Sequence, residues 1–125
     1  MNKADIIKRV HQLGFNTKDY WLIAGTAMVM YSFREETNDI DMGCSKNLAD
    51  RLEKEGYSTT YGKDGMRKIA IGEDVEIFEE WLYDKVEMVD ALPVISVKGL
   101  IEMKEFLGRE KDLRDIELIN KAIIK

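Results

Sequence analysis

The chain has 125 residues, of which 45% are hydrophobic and 34% charged, and its formal charge is −5. That length and mixture fit a soluble globular unit burying roughly two-thirds of its unfolded surface, and they exclude a disordered tail. No apolar run approaches the ~20 residues of a membrane span, and the scattered Lys and Arg form no stripe for duplex nucleic acid.

Ile6, Ile7, Val10 and Leu13 recur at helical spacing, and Gly14 follows as a stop. Trp21 to Ala24 reads as a short buried strand ending at Gly25. Ala27, Met28, Met30 and Tyr31 then suit a brief helix with one buried face. Asp39-Ile40-Asp41-Met42 alternates polar and apolar, as a half-buried strand does. Ser45 is placed to cap a helix over Lys46 to Glu55, with Leu48, Ala49 and Leu52 inward and Gly56 at its end. Tyr57 to Tyr61 and Arg67 to Ile71 read as strands. Gly72-Glu73-Asp74 is a hairpin-type loop, from which Val75 to Phe78 returns. Glu80 to Asp90 carries no assignment. Ser96 caps a helix from Val97 to Leu107, stopped by Gly108. Asp112 is expected to cap the last helix, with Leu113, Ile116, Ile119 and Ile123 inward.

There are no repeats or linkers, and the only proline is Pro93, so a single domain over residues 1–125 is expected. The element order predicts an α/β (α+β) fold: a small mixed sheet flanked by helices, with short helices at the C-terminal end. Met1 to Arg9 lacks the apolar core of a signal peptide. The lone Cys44 excludes an internal disulfide and a cysteine zinc cluster, so a reducing cytoplasm is the expected setting.

Candidate chemistry begins with Asp39 and Asp41. Two residues apart on a strand, they leave the same face with Cα atoms about 6.5–7 Å apart. Carboxylates so placed can converge on Mg²⁺ or Mn²⁺, hard cations that prefer oxygen, or simply line a solvated face. Glu76, between Val75 and Ile77, is expected to face away from the core, beside the aspartates or merely exposed. Gly25-Thr26 offers free N–H groups at a strand-to-helix turn, suited to a phosphate or to an ordinary connection. Lys104 falls on the apolar stripe of Val97, Leu100, Ile101 and Leu107. It either snorkels over that stripe or aims into a cleft to meet phosphates. Asp112 and Asp115 read most simply as an N-cap and a first-turn carboxylate. Cys44 reads as packing. His11, the only histidine, is expected on an exposed helix face, which leaves Ser-His or Cys-His chemistry without a base.

Together these pieces resemble the nucleotidyltransferase superfamily, the minimal polymerase-beta-like fold. The resemblance rests on Ala24-Gly25-Thr26, then Arg34 to Met42 with Asp39-Ile40-Asp41, then Val75-Glu76-Ile77, and spans roughly Trp21 to Ile119. It is nearest to small bacterial proteins related to the nucleotidyltransferase toxins of abortive-infection systems. Those share a basic residue and a Ser or Thr before Asp-Ile-Asp, a later helical lysine (Lys104 here), and a basic-Asp pair (Lys111-Asp112) opening the last helix. The resemblance implies transfer of an NMP group from a nucleoside triphosphate to an acceptor hydroxyl. Asp39, Asp41 and Glu76 would hold Mg²⁺, Gly25 and Thr26 the triphosphate, and Lys104 would offset charge. The acceptor, whether small molecule, protein or RNA end, is left open. So is the alternative of a non-catalytic binding or partner subunit of antitoxin type, and a homodimer. One departure stands out: the family turn is Gly-Gly or Gly-Ser, and here it begins with Ala24. If Ala24 ends the strand, it is extended and its methyl group turns away from the phosphates.

Overall fold

The structure is a computed structural model that describes residues 1–124. Seven strands form one mixed sheet in the order β3-β4-β5-β2-β1-β7-β6. The strands are β1 (Tyr20–Leu22), β2 (Ile40–Cys44), β3 (Ser58–Tyr61), β4 (Arg67–Ile71), β5 (Val75–Glu79), β6 (Val86–Val89) and β7 (Leu92–Ile95). Five helices accompany them: α1 (Lys3–Leu13), α2 (Ala24–Met30), α3 (Lys46–Lys54), α4 (Val97–Leu107) and α5 (Glu110–Ile124). The expected α/β architecture with a mixed sheet is therefore what the chain adopts.

Local signals explain most boundaries. Asn2 caps α1 in a reciprocal box with Asp5, and Gly14 ends it in the left-handed region. The Ser45 and Ser96 side chains accept the N–H groups of Leu48 and Gly99, as the sequence predicts for α3 and α4. β4 and β5 form the expected hairpin.

Period-two alternation sorts the central strands by face. Ile40 and Met42 of β2, with Val75 and Ile77 of β5, are fully buried in the core formed with Ile6, Leu22, Met28, Leu52 and Met103. Asp41, Glu76 and Phe78 turn to the opposite face. β2 runs antiparallel to β1 and parallel to β5, which puts Asp41 directly opposite Glu76 and Gly43 opposite Phe78.

Two expectations on α5 fail here, and two strands lie where the sequence carried no assignment. The unassigned stretch contains β6, and β7 beyond it was not foreseen although its four residues are buried. α5 begins at Glu110, so Asp112 lies inside it and is not its cap. Leu113 and Ile123 are 57% and 56% exposed, and the inward positions of α5 belong to Asp112, Asp115 and Ile119.

Candidate active site

A cleft of about 510 Å³ opens on the sheet face opposite the core, and Ala24, Gly25, Asp39, Asp41, Glu76 and Lys104 all line it. The sequence-predicted residues are thus brought together, with the exception of Thr26.

Thr26 is fully buried and absent from the cleft wall. Its hydroxyl donates to the Asp39 carbonyl at 3.2 Å and accepts the Asp41 N–H at 2.9 Å. It ties the turn to the aspartate strand, and its one proton is already donated, so none is left for a phosphate oxygen. Gly25 does face the cleft. A Cβ there would lie 2.8 Å from the Thr37 hydroxyl and 3.1 Å from an Arg34 guanidinium nitrogen, so a side chain would have to displace the first and crowd the second. Ala24 departs from expectation as well. It is not extended but left-handed, with φ +53°, a conformation that glycine adopts freely and alanine only with strain.

The acidic wall is electrostatically loaded. The Asp41 carboxyl is pushed up to about 6, first by burial and then by the charges of Glu76 and Asp39; Lys111 and Lys68 offset only part of this. Glu76 reaches Lys68 at 3.5 Å. Among the described residues no three His, Cys, Asp or Glu side chains close tightly enough to enclose an ion as placed. The donor set nevertheless fits a hard divalent cation. Its carboxylates repel one another, and a dication would relieve that repulsion.

The opposite wall is basic and held by aspartates. Lys104 is only 4% exposed, and its ammonium donates to Asp115 at 2.9 Å and lies 3.8 Å from Asp112. Arg34 donates to the other Asp115 oxygen. Arg109 pairs with Asp112 through its side chain at 2.6 Å, and its backbone N–H donates to the same carboxylate. Burial works to raise the pKa of Asp115, but the hydrogen bonds from Lys104 and Arg34 win and hold it below the usual range. Lys104 is therefore neither a snorkelling residue nor a free phosphate ligand. It is a buried member of a charge network that lines the cleft. Arg34, Arg109 and Asp115 belong to the same wall and were not singled out as site residues. Their signal was the interruption of apolar periodicity on α5 by Asp112 and Asp115.

Cys44 is buried, and its thiol is pushed up to about 12, mainly by that burial, which agrees with a packing role. His11 is exposed on α1, as expected.

No protein-family model matches the chain, and no curated protein matches its sequence. Solved structures do. A candidate nucleotidyltransferase from Thermotoga maritima, TM1012, superposes with a TM-score of 0.63 over 98% of this chain and 95% of that one, at 12% identity. ANT(2")-Ia in complex with adenylyl-2"-tobramycin gives 0.58 over 84% and 79%, at 14% identity. The chain has the nucleotidyltransferase fold.

Proposed function

We propose that the chain is a Mg²⁺- or Mn²⁺-dependent nucleotidyltransferase that moves an NMP group from a nucleoside triphosphate to an acceptor hydroxyl, releasing pyrophosphate. The observation that carries this reading is the Asp41–Glu76 register, which sets three carboxylates between the Gly25 turn and an open sheet face. The fold supports it, and the ANT(2")-Ia complex holds an adenylylated small molecule.

Asp39, Asp41 and Glu76 would hold the cation. When bound, it supplies charge to the reacting phosphoryl group and acidifies the acceptor hydroxyl. Gly25 lets the triphosphate approach the backbone, and Arg34 stands over that turn to meet its negative charge. Lys104 and Lys111 add positive potential from the far wall. The acceptor oxygen forms its bond to the α-phosphorus, the bond to pyrophosphate breaks, and the hydroxyl proton passes to Glu76.

The test is incubation with each labelled NTP, Mg²⁺ and a cell lysate. Label should move to an acceptor with the natural chain and not with Asp39→Asn/Asp41→Asn. If calorimetry finds neither NTP nor Mg²⁺ bound, the reading falls.

A second reading, a non-catalytic partner subunit, is favoured by one observation. Ala24 sits left-handed in the phosphate turn, where the resemblance expects glycine. That reading predicts nucleotide binding only after Ala24→Gly.

A further inference from the structure

Beside the cleft lies a second groove of about 460 Å³, which no part of the reaction above uses. Phe78 and Trp81 line both cavities and so stand at the boundary between them. Trp81 packs edge-on against Phe78, with ring centroids 5.3 Å apart. The groove also draws in Tyr61, Met66 and Phe106, side chains that the core leaves in solvent; Phe106 is 71% exposed.

Strand order gives this groove a direction. Across the sheet stand β1 with its Gly25 turn, then β2 with Asp41 and with Asp39 just before it, β5 with Glu76 and Phe78, β4 with Lys68, and β3 with Tyr61. Arg34 lies over Gly25, and Asp115 links it to Lys104, so this pair of cations gathers at the Gly25 end of the cleft. In-line displacement puts the attacking hydroxyl on the side of the α-phosphorus away from the leaving pyrophosphate. That side is Phe78, Trp81 and the groove.

Charge narrows the occupant. Arg67 underlies the groove, but Glu79, Asp50 and Glu53 surround it and leave its surroundings net negative. Asp64 and Glu80 line the groove, and their carboxylates accept only the backbone N–H groups of Met66 and Lys46 among the described residues. Lys68, the remaining cation, reaches Glu76 and stands 5.8 Å over the Phe78 ring, which leaves Tyr61, Trp81 and Phe106 as the aromatic surfaces open to a ligand. Aromatic faces with excess carboxylate attract cations and repel polyanions.

We infer that this groove is the acceptor subsite, and that it takes a small hydroxyl compound with an apolar ring face and a positive charge. The inference rests on the transferase reading above.

Three probes sharing a phenyl ring and a hydroxyl test it: 2-amino-1-phenylethanol as cation, 1-phenyl-1,2-ethanediol as neutral, and mandelate as anion. Binding is read from the indole and backbone NMR shifts of Trp81, and Mg-ATP is titrated separately against the Gly25 and Asp41 amides. The cation should bind about fivefold more tightly than the neutral probe. Phe106→Ala, and separately Asp64→Asn with Glu80→Gln, should each weaken it about as much. Equal binding of all three probes, or tightest binding of mandelate, overturns the charge assignment. Shifts absent from Trp81, or unmoved by Phe106→Ala, overturn the subsite. Probe binding with no response to Mg-ATP removes the transferase reading and with it the acceptor role.

Discussion

Asp41 on β2 faces Glu76 on β5 across a parallel register, and the Asp41 carboxyl titrates near 6 because it is buried beside Glu76 and Asp39. Its folded value lies above the unfolded 3.8, so the folded chain keeps a proton that the unfolded chain gives up. The resulting stabilisation is full below the unfolded value and is lost as pH rises through about 6. Above that, metal-free protein carries a penalty of about 3 kcal/mol. Asp41→Asn should therefore melt a few degrees higher than the natural chain at pH 7.5 in chelator, and equally at pH 4. Added Mg²⁺ should raise the melting temperature of the natural chain alone. Identical melting of the two proteins at pH 7.5 would remove the electrostatic account of the site.

Lys104→Met is a sharper probe than its place on an apolar stripe implies. Removing the ammonium leaves Asp115 with Arg34 alone and Asp112 with Arg109 alone, both carboxylates being buried. The expected loss is about 2 kcal/mol, below the full cost of orphaning a buried charge because each aspartate keeps one partner. Urea titration reads it. A variant as stable as the parent would show that the network contributes nothing to folding.

Ala24→Gly should stabilise the chain. The left-handed φ of +53° costs alanine about 1–2 kcal/mol, and the flexibility of glycine in the unfolded chain returns part of that. A net gain on the order of 0.5 kcal/mol is expected in denaturant melts. Nucleotide affinity should change by less than about tenfold. A much larger gain transfers the conclusion to the partner-subunit reading.

Beneath the second groove, Arg67 is buried against Glu79, with donor–acceptor distances of 2.9 and 2.6 Å. The hydrogen bonds from Arg67 depress the Glu79 carboxyl below its ordinary 4.5 despite its burial. That stability is present above the unfolded value and is lost as pH falls through the folded one. Glu79→Gln should destabilise at pH 7, and its difference from the parent should shrink as pH falls below 4.5, as circular dichroism melts across that range would show. Arg67→Met should cost about 3 kcal/mol at pH 7, because Glu79 is then buried without its cation.

Much of the site was legible from residues alone. Alternation placed Asp41 and Glu76 on the faces opposite their buried neighbours, since each strand has period two. Their meeting depended on β2 and β5 being neighbours, which no local pattern states. β7 carried no assignment, and Pro93, which gives no donor to a sheet ladder, argues locally against a strand that is in fact paired on both sides. α5 was turned the wrong way for a related reason. Apolar periodicity selected Leu113 and Ile123, but the helix gives its inward positions near the cleft to Asp112 and Asp115, where Lys104 and two arginines compensate them. The Ala24 conformation was illegible because a backbone angle belongs to the turn as built, and alanine does not advertise it.

Thr26 leaves the two halves of the site without mechanical independence. One hydroxyl holds the carbonyl of Asp39 and the amide of Asp41, while its own backbone follows Gly25 directly. A ligand that shifts the turn must drag the aspartate strand with it. An ion that draws the aspartates inward resets the turn in the same way. A ligand at the turn and an ion on the carboxylates would therefore be coupled through a single side chain, and whatever free energy one lent to the other's binding would be returned in equal measure.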